Sequence, residues 1–390
     1  MTTVWAFIII IGVLITIHEF GHFIAARSVG VKVERFSIGV PPRFITITST
    51  NGGWVIKLFF YKVVEGSLKW QPLFTKLIPK AGRIGSNTEY VLALLPLGGY
   101  VKMAGMIDES LDTDIQYKDN EFMSKSLPAK IWILSAGVIM NTLLAFVIFS
   151  TVVYNQGKAK ISSKPIIANL QDGMPAKLSG ILENDKIVQI DETTINSWED
   201  LSTVIKSRPN TEIELQVMRD YDKLLTFKIT TSERQIQTKN GIDTIGLIGI
   251  APEVLYSDIS FFEAASMGFM RTIESFSLII ESLVMLGSGA ASVSDLGGPI
   301  MIAQLAGQTA EAGLIPFLTF MALLSVNLAL LNILPIPGLD GGHIFIHLIE
   351  GLIRRPLTLK TRVVIQQIGM ALLLLLMVTV ILQDITRLFN

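Results

Sequence analysis

Two of the four histidines in this 390-residue chain fall in His18-Glu19-Phe20-Gly21-His22. On a helix, positions i and i+4 share a face, so both imidazoles can ligate one zinc ion while Glu19 stands beside the open coordination position. Glu19 is then placed to take a proton from water that zinc acidifies to a pKa of about 7. The motif lies in the apolar run Met1–Ala26, where Glu19 is the single formal charge. A carboxylate at membrane depth costs about 3 kcal/mol on insertion scales and marks a functional position by default. A catalytic zinc also needs a third protein ligand, and Asp340 is the candidate. It follows Pro335, Pro337 and Gly338 and precedes Gly341 and Gly342. The prolines remove backbone donors and the glycines loosen the chain, so a helix must break there. Such backbone survives at membrane depth only where protein or water satisfies it. His343 and His347 repeat the i,i+4 spacing, but no Glu lies between them and the first set already completes a tetrahedral site with water. One zinc is expected, with His343 in a supporting or packing role and His347 a surface residue.

The elements that must position these groups are membrane spans. Half of the residues are apolar, 17% are charged and the mean hydropathy is +0.53, against about a quarter charged in soluble domains. This composition excludes disorder and argues against an ordinary soluble enzyme; net charge −1 argues against a nucleic-acid partner. Zero cysteines exclude disulfides and thiolate metal sites. Four segments reach the length of about 20 apolar residues that a bilayer requires: Met1–Ala26, Ile131–Val153, Ala312–Leu334 and Val363–Gln383. The first lacks a basic leader and a cleavage site, so it is expected to remain in the mature protein as a span.

Lys and Arg accumulate in cytoplasmic loops. Val31–Gly85 holds 9 basic and 2 acidic residues, and Gly351–Arg362 holds four basic residues and no acid, whereas Lys158–Ser260 has 12 basic and 15 acidic. The first and third connections are therefore expected in the cytoplasm, and the middle one and both termini outside. In the first connection, Phe44–Ser49 and Trp54–Tyr61 flank the turn Asn51-Gly52-Gly53, and Glu89–Leu95 and Gly99–Met103 flank Pro96-Leu97-Gly98. Between them, Gly66–Thr88 reads as a basic amphipathic stretch on the leaflet or a solvated loop. Phe261–Leu286 carries Glu263, Arg271, Glu274 and Glu281 and reads as an amphipathic helix on the exported side.

The exported segment resembles a PDZ domain of the bacterial protease type. The matches are Pro175-Ala176, Ser179-Gly180-Ile181, Asn184-Asp185-Lys186-Ile187 and Ile190-Asp191. A glycine is usual where Asn184 stands, but Asn tolerates left-handed backbone. Asn196 or Ser197 is a plausible cap for a helix running to Ile205. The expected fold is an α-helical polytopic membrane protein of four transmembrane helices, with a membrane-associated β-hairpin region and one inserted α+β PDZ-like domain. Its segments are helix 1 over 1–28, a cytoplasmic-side region with membrane-associated strands over 29–130, helix 2 over 131–154, the PDZ-like domain over 160–255, the amphipathic helix and a connection over 256–311, helix 3 over 312–342 with its break at Asp340, a cytoplasmic segment over 343–362, and helix 4 over 363–386.

Taken together, HEFGH, Thr88-Glu89-Tyr90 through Leu97–Met103, Ala136-Gly137 to Asn141, Leu296–Ile300 and Ser325-Val326-Asn327 through Asp340–His343 resemble the site-2 proteases, specifically the bacterial regulator of sigma-E protease type. The resemblance implies a zinc metalloendopeptidase of the bacterial cytoplasmic membrane. Such an enzyme cuts single-pass membrane proteins, such as anti-sigma factors or signal-peptide remnants, within their transmembrane helices after another protease has trimmed them. It implies Glu19 as general base, His18, His22 and Asp340 on Zn2+, and substrate contacts from Asn332, Pro335 and Pro337. The strands over 89–103, Gly99 and Tyr100 included, offer an edge for unwound substrate, and the exported domain acts as a size filter. Two features depart from the family: one PDZ-like domain where many members have two, and a longer 66–88 insertion. The competing reading is a non-proteolytic metal-binding scaffold or transporter, for which no inverted repeat is found.

Overall fold

The computed structural model describes residues 2–64, 67–80, 82, 84–106, 115–220, 222–238, 241–290 and 297–389. Met1, Gly66 and Leu296, each part of a segment read above, lie outside them. The chain divides into two compact units, one of Met1–Val152 with Phe262–Asn390 and the other Val153–Phe261.

The first unit opens with α1 (Thr2–Ser28). Its buried side chains include Ala6, Ile10, Leu14, His18 and His22, a stripe of period four that carries both histidines into the interior. Four strands follow, β1 (Val33–Thr50), β2 (Gly53–Val64), β3 (Ser67–Pro79) and β4 (Glu89–Met103), in a sheet of order β3-β2-β1-β4. One expectation needs extending here. Glu89–Leu95 and Gly99–Met103 are the two legs of β4 about the expected turn, and β1 runs far beyond Phe44–Ser49. Arg35 faces both Glu89 and Lys102, and Ile38 faces both Leu92 and Gly99. Both strands therefore double back, β1 near Pro41-Pro42 and β4 near Leu97-Gly98, so residues that read as breakers are bends within a sheet. The described part of 66–88, read as a basic amphipathic stretch on the leaflet or a solvated loop, is not a plain loop, because β3 pairs with β2 from Val64 opposite Ser67 to Gly53 opposite Pro79. Its Leu68, Trp70, Phe74 and Leu77 found cross-strand partners that local reading does not supply. The helix α2 (Leu127–Gln156) completes this part.

The second unit contains β5 (Lys158–Ile161), β6 (Ile167–Leu170), α3 (Pro175–Leu178), β7 (Lys186–Ile190), β8 (Thr193–Thr194), α4 (Trp198–Lys206), β9 (Glu212–Arg219), β10 (Lys223–Thr230), β11 (Ser232–Thr238), β12 (Gly241–Leu247), β13 (Ile250–Pro252) and β14 (Val254–Ser257). The expected order of strand, short helix, strand, helix and strands is present. Along β9, Ile213, Leu215 and Val217 alternate inward and meet Ile187 and Ile190 of β7 and Leu201 and Ile205 of α4. Burying each is worth about 1.5–3 kcal/mol. Ser197 caps α4 in a reciprocal box with Asp200, and Asn184 adopts φ +71°, the left-handed backbone its turn requires.

The first unit resumes with α5 (Phe261–Gly287), α6 (Pro299–Ala312), α7 (Leu314–Ile333), α8 (Asp340–Ile353) and α9 (Leu359–Phe389). The helix α6 lies where only a connection was expected. Its N-terminus is capped from a distance: Asp384 of α9 accepts from the backbone N–H groups of Gly298, Ile300 and Met301 at 2.9–3.1 Å. Among the described residues, four helices, α1, α2, α7 and α9, are long and apolar enough to cross a membrane. The apolar run read as Ala312–Leu334 contains α7, which stops at Ile333, and after the expected break residues 340–353 form a separate helix, α8. Pro335 excludes Leu334 from helical backbone, and Leu334 is extended.

Candidate active site

The side chains of His18 and His22 emerge one turn apart on α1, and the break between α7 and α8 brings Asp340 to them. Asp340 Oδ2 lies 3.1 Å from His18 Nε2 and 3.3 Å from His22 Nε2. Among the described residues this is the one group of three metal-ligating side chains, its donor atoms all within 4.8 Å of one another. Gly341 and Gly342 let the first turn of α8 press against the carbonyls of Ile333, Leu334 and Ile336, where any Cβ would collide. The N-terminal end of α8 also favours a carboxylate at Asp340.

The set fits a zinc ion on its own chemistry. Buried Asp340 Oδ2 has no hydrogen-bond donor, a costly state for a carboxylate unless a cation completes it. His22 Nδ1 donates to the Ile133 carbonyl at 2.8 Å, which leaves the Nε2 lone pair facing Asp340. Asn141 Nδ2 of α2 lies 3.4 Å from His18 Nδ1, so the amide holds the far edge of that ring. Space for both rings comes from Gly137 of α2. A Cβ at that position would stand 2.5 Å from His18 Cε1 and 2.6 Å from His22 Nε2. Helices in lipid gain little from apolar burial and associate through close contacts at small residues, and Gly137 and Gly21 supply that contact here.

Glu19 shares a cavity with the metal-ligating set, and its Oε2 accepts the Val101 N–H of the sheet at 3.0 Å. The cavity in front, about 540 Å³, is lined by His18, Glu19, Gly99, Tyr100, Asn332 and Asp340 among others. Asn332, in the last turn of α7, places Nδ2 3.4 Å from His18 Nε2. Of the expected substrate contacts, Asn332, Gly99 and Tyr100 are therefore gathered at the cavity. Pro335 is exposed and Pro337 lines a small neighbouring space of about 20 Å³ with Gly338, His343 and Gln366; both act as helix breakers.

His347 is not a surface residue. It is 3% exposed, its Nδ1 donates to Glu350 Oε2 at 3.0 Å, and its ring packs on Phe122. Burial and the nearby Arg362 and Lys130 charges push its pKa down to about 4. The helix face that it shares with Ile344 packs inward, where sequence alone shows only a polar residue past a span. Sequence reasoning also gave Gly137 and Asn141 no role at the metal. The available signal was an amide in a charge-free span, where it must find a polar partner.

Residues 6–67 and 73–376 match peptidase family M50. The chain is an M50 peptidase. The break in the match, 68–72, falls within β3. This M50 peptidase is 28% identical over 431 residues to zinc metalloprotease RasP of Oceanobacillus iheyensis and 29% identical over 428 residues to RasP of Bacillus licheniformis, with each chain covered in full. A Clostridium acetobutylicum relative is 32% identical over 383 residues, 98% of this chain and 97% of that one. The solved PDZ domain of an SdrC-like protein from Listeria monocytogenes matches 24% of this chain and 92% of its own at 20% identity and a TM-score of 0.19. Membership makes the M50 peptidase a site-2 protease relative with a zinc cofactor, and decides for an enzyme over a scaffold or transporter.

Proposed function

We propose that this M50 peptidase hydrolyses transmembrane helices of single-pass membrane proteins inside the bilayer, after their outer parts have been trimmed. The observation that carries the reading is the meeting, in one cavity, of the metal-ligating triad, the Glu19 carboxylate and the backbone of residues 99–103. That segment pairs with β1 along one side only, and its Val101 N–H points the other way, to Glu19. A helix hides its carbonyls in its own hydrogen bonds, so a substrate must unwind before attack. Strand pairing along 99–103 replaces the lost bonds and lays the unwound backbone beside Glu19. Asn332 offers its amide to the same backbone.

His18, His22 and Asp340 would hold the zinc ion. The chemistry it supplies when bound is Lewis-acid polarisation of a carbonyl and acidification of water. Glu19 takes the proton of the attacking water and returns it to the leaving amine. All of these groups lie in the first unit.

The Lys/Arg asymmetry supports a bacterial cytoplasmic-membrane orientation with 29–130 and 343–362 inside and the PDZ-like domain and both termini outside. Anti-sigma-factor-like proteins and signal-peptide remnants have the required single-span form. The deciding test is cleavage of a trimmed single-span substrate in detergent or proteoliposomes. Zinc-loaded protein should cut, chelator should stop it, and Glu19→Gln should keep zinc yet lose cleavage, because an amide keeps size but accepts no proton. Full cleavage by Glu19→Gln would refute the assignment.

A further inference from the structure

Far along α8 from Asp340, a second cavity of about 250 Å³ opens between the start of α2, the end of α8 and the start of α9. Four cations line it, Lys130, Arg354, Arg355 and Arg362, against one carboxylate, Glu350. Glu350 is already committed: it holds Arg362 in an ion pair and accepts from the Leu357 N–H at 2.6 Å and from His347 Nδ1 at 3.0 Å. Among the described residues, Lys130, Arg354 and Arg355 have no acidic partner within ion-pair distance. Three like charges around one concavity repel one another unless an anion joins them. Guanidinium groups suit a phosphate, whose oxygens accept paired N–H donors.

The surroundings select the source of the phosphate. Leu127, Pro356 and Leu357 line the same cavity. Lys130 sits in the first turns of α2 and Arg362 in the first turn of α9, so two candidate spans start at the same level. A free phosphate ion has no use for this apolar lining or for a place at the start of two candidate spans. An anionic phospholipid uses both features, its headgroup among the cations and its acyl chains beside the starts of α2 and α9.

We propose that this cavity is a binding site for the headgroup of an anionic phospholipid, and this rests on the reading of α2 and α9 as membrane spans. Bound there, the lipid anchors the far end of the helix whose first residue is Asp340, about 20 Å away at 1.5 Å per residue. The test is native mass spectrometry of the full chain, zinc-loaded, in detergent, titrated with phosphatidylglycerol or with phosphatidylcholine of the same acyl chains. Wild type should retain one phosphatidylglycerol in preference to phosphatidylcholine. Lys130→Gln/Arg354→Gln/Arg355→Gln should weaken that retention by on the order of tenfold, with the zinc content unchanged as the check on folding. Arg355→Gln alone, at an exposed position, should show a smaller loss and serves if the triple variant does not accumulate. Lys57→Gln/Lys62→Gln/Lys76→Gln, an equal charge change on β2 and β3, should change nothing. Equal retention of the two lipids, an undiminished triple variant, or equal loss in the β-strand variant would overturn the proposal. Displacement of the lipid by millimolar inorganic phosphate would overturn the lipid assignment in favour of a free-anion site. Release of the protein from membranes by alkaline carbonate would instead sink the spanning reading, and the lipid site with it.

Discussion

Replacing Gly137 by alanine sets two effects of known size against each other. Alanine is the better helix former by about 1 kcal/mol, and overpacking a filled interior costs about 1–3 kcal/mol. The fold should therefore lose at most about 2 kcal/mol and the protein should still accumulate. The metal site has no such margin. The added Cβ would lie 2.5 Å from His18 Cε1, 2.6 Å from His22 Nε2 and 2.7 Å from His18 Nδ1, whereas ordinary contact begins at 3.4 Å. The two rings, or α2 itself, must retreat by about 0.8 Å, several times the roughly 0.2 Å that metal–ligand distances tolerate. Loss of a single outer-shell partner already costs 10–100-fold in metal affinity. A shift of both rings should weaken zinc binding by at least about 100-fold and cleavage by a similar factor, since a 1 Å misplacement costs that much. Zinc per chain, measured by elemental analysis after dialysis against a competing chelator, reads the first effect, and turnover of a trimmed substrate reads the second. Gly287→Ala, at a position with nothing within 4 Å, is the matched control. If Gly137→Ala keeps one zinc per chain and cuts within about threefold of wild type, the packing argument for the site is wrong.

His347 makes a pH prediction. Its pKa lies at about 4 in the folded chain against 6.5 unfolded, so on acidification the unfolded chain takes the proton first. Stability is full above about pH 6.5 and falls as the pH drops from 6.5 to 4, by up to about 3 kcal/mol; His347→Asn, which keeps a donor for Glu350, should flatten that limb of a thermal-melt profile, and an unchanged limb would contradict the assignment. Deleting residues 160–255 should leave cleavage of a trimmed helix within a few-fold of wild type, because every site group lies in the first unit, and should relax rejection of substrates with bulky outer domains; a folded deletion unable to cut any helix would show that the domain positions substrate. A cysteine at Ser207, unique in this cysteine-free chain, should react with an impermeant maleimide from outside intact cells, and labelling from the cytoplasmic side alone would invert the topology.

What the sequence determined by itself is what is local. His18 and His22 share a face because helical periodicity requires it, and Leu334 must leave the helix because Pro335 follows. Four runs are long and apolar enough to cross a membrane by length and composition alone, and Ser197 with Asp200 defines the start of α4. Even the third member of the group that could hold a metal was legible, since a broken helix and an acid coincide at one place. What only the tertiary structure decided is which surfaces meet. The breakers Pro41-Pro42 and Leu97-Gly98 are bends in strands whose partners lie some fifty residues away, and β3 is a strand because β2 is beside it. The burial of His347 depends on Phe122 and Glu350 packing around it, and the roles of Gly137 and Asn141 depend on α2 crossing α1 at the level of the histidines. A residue's intrinsic preferences travel with it along the chain, but its burial and its hydrogen-bond partners belong to whatever segment packs opposite, and that is a property of the fold.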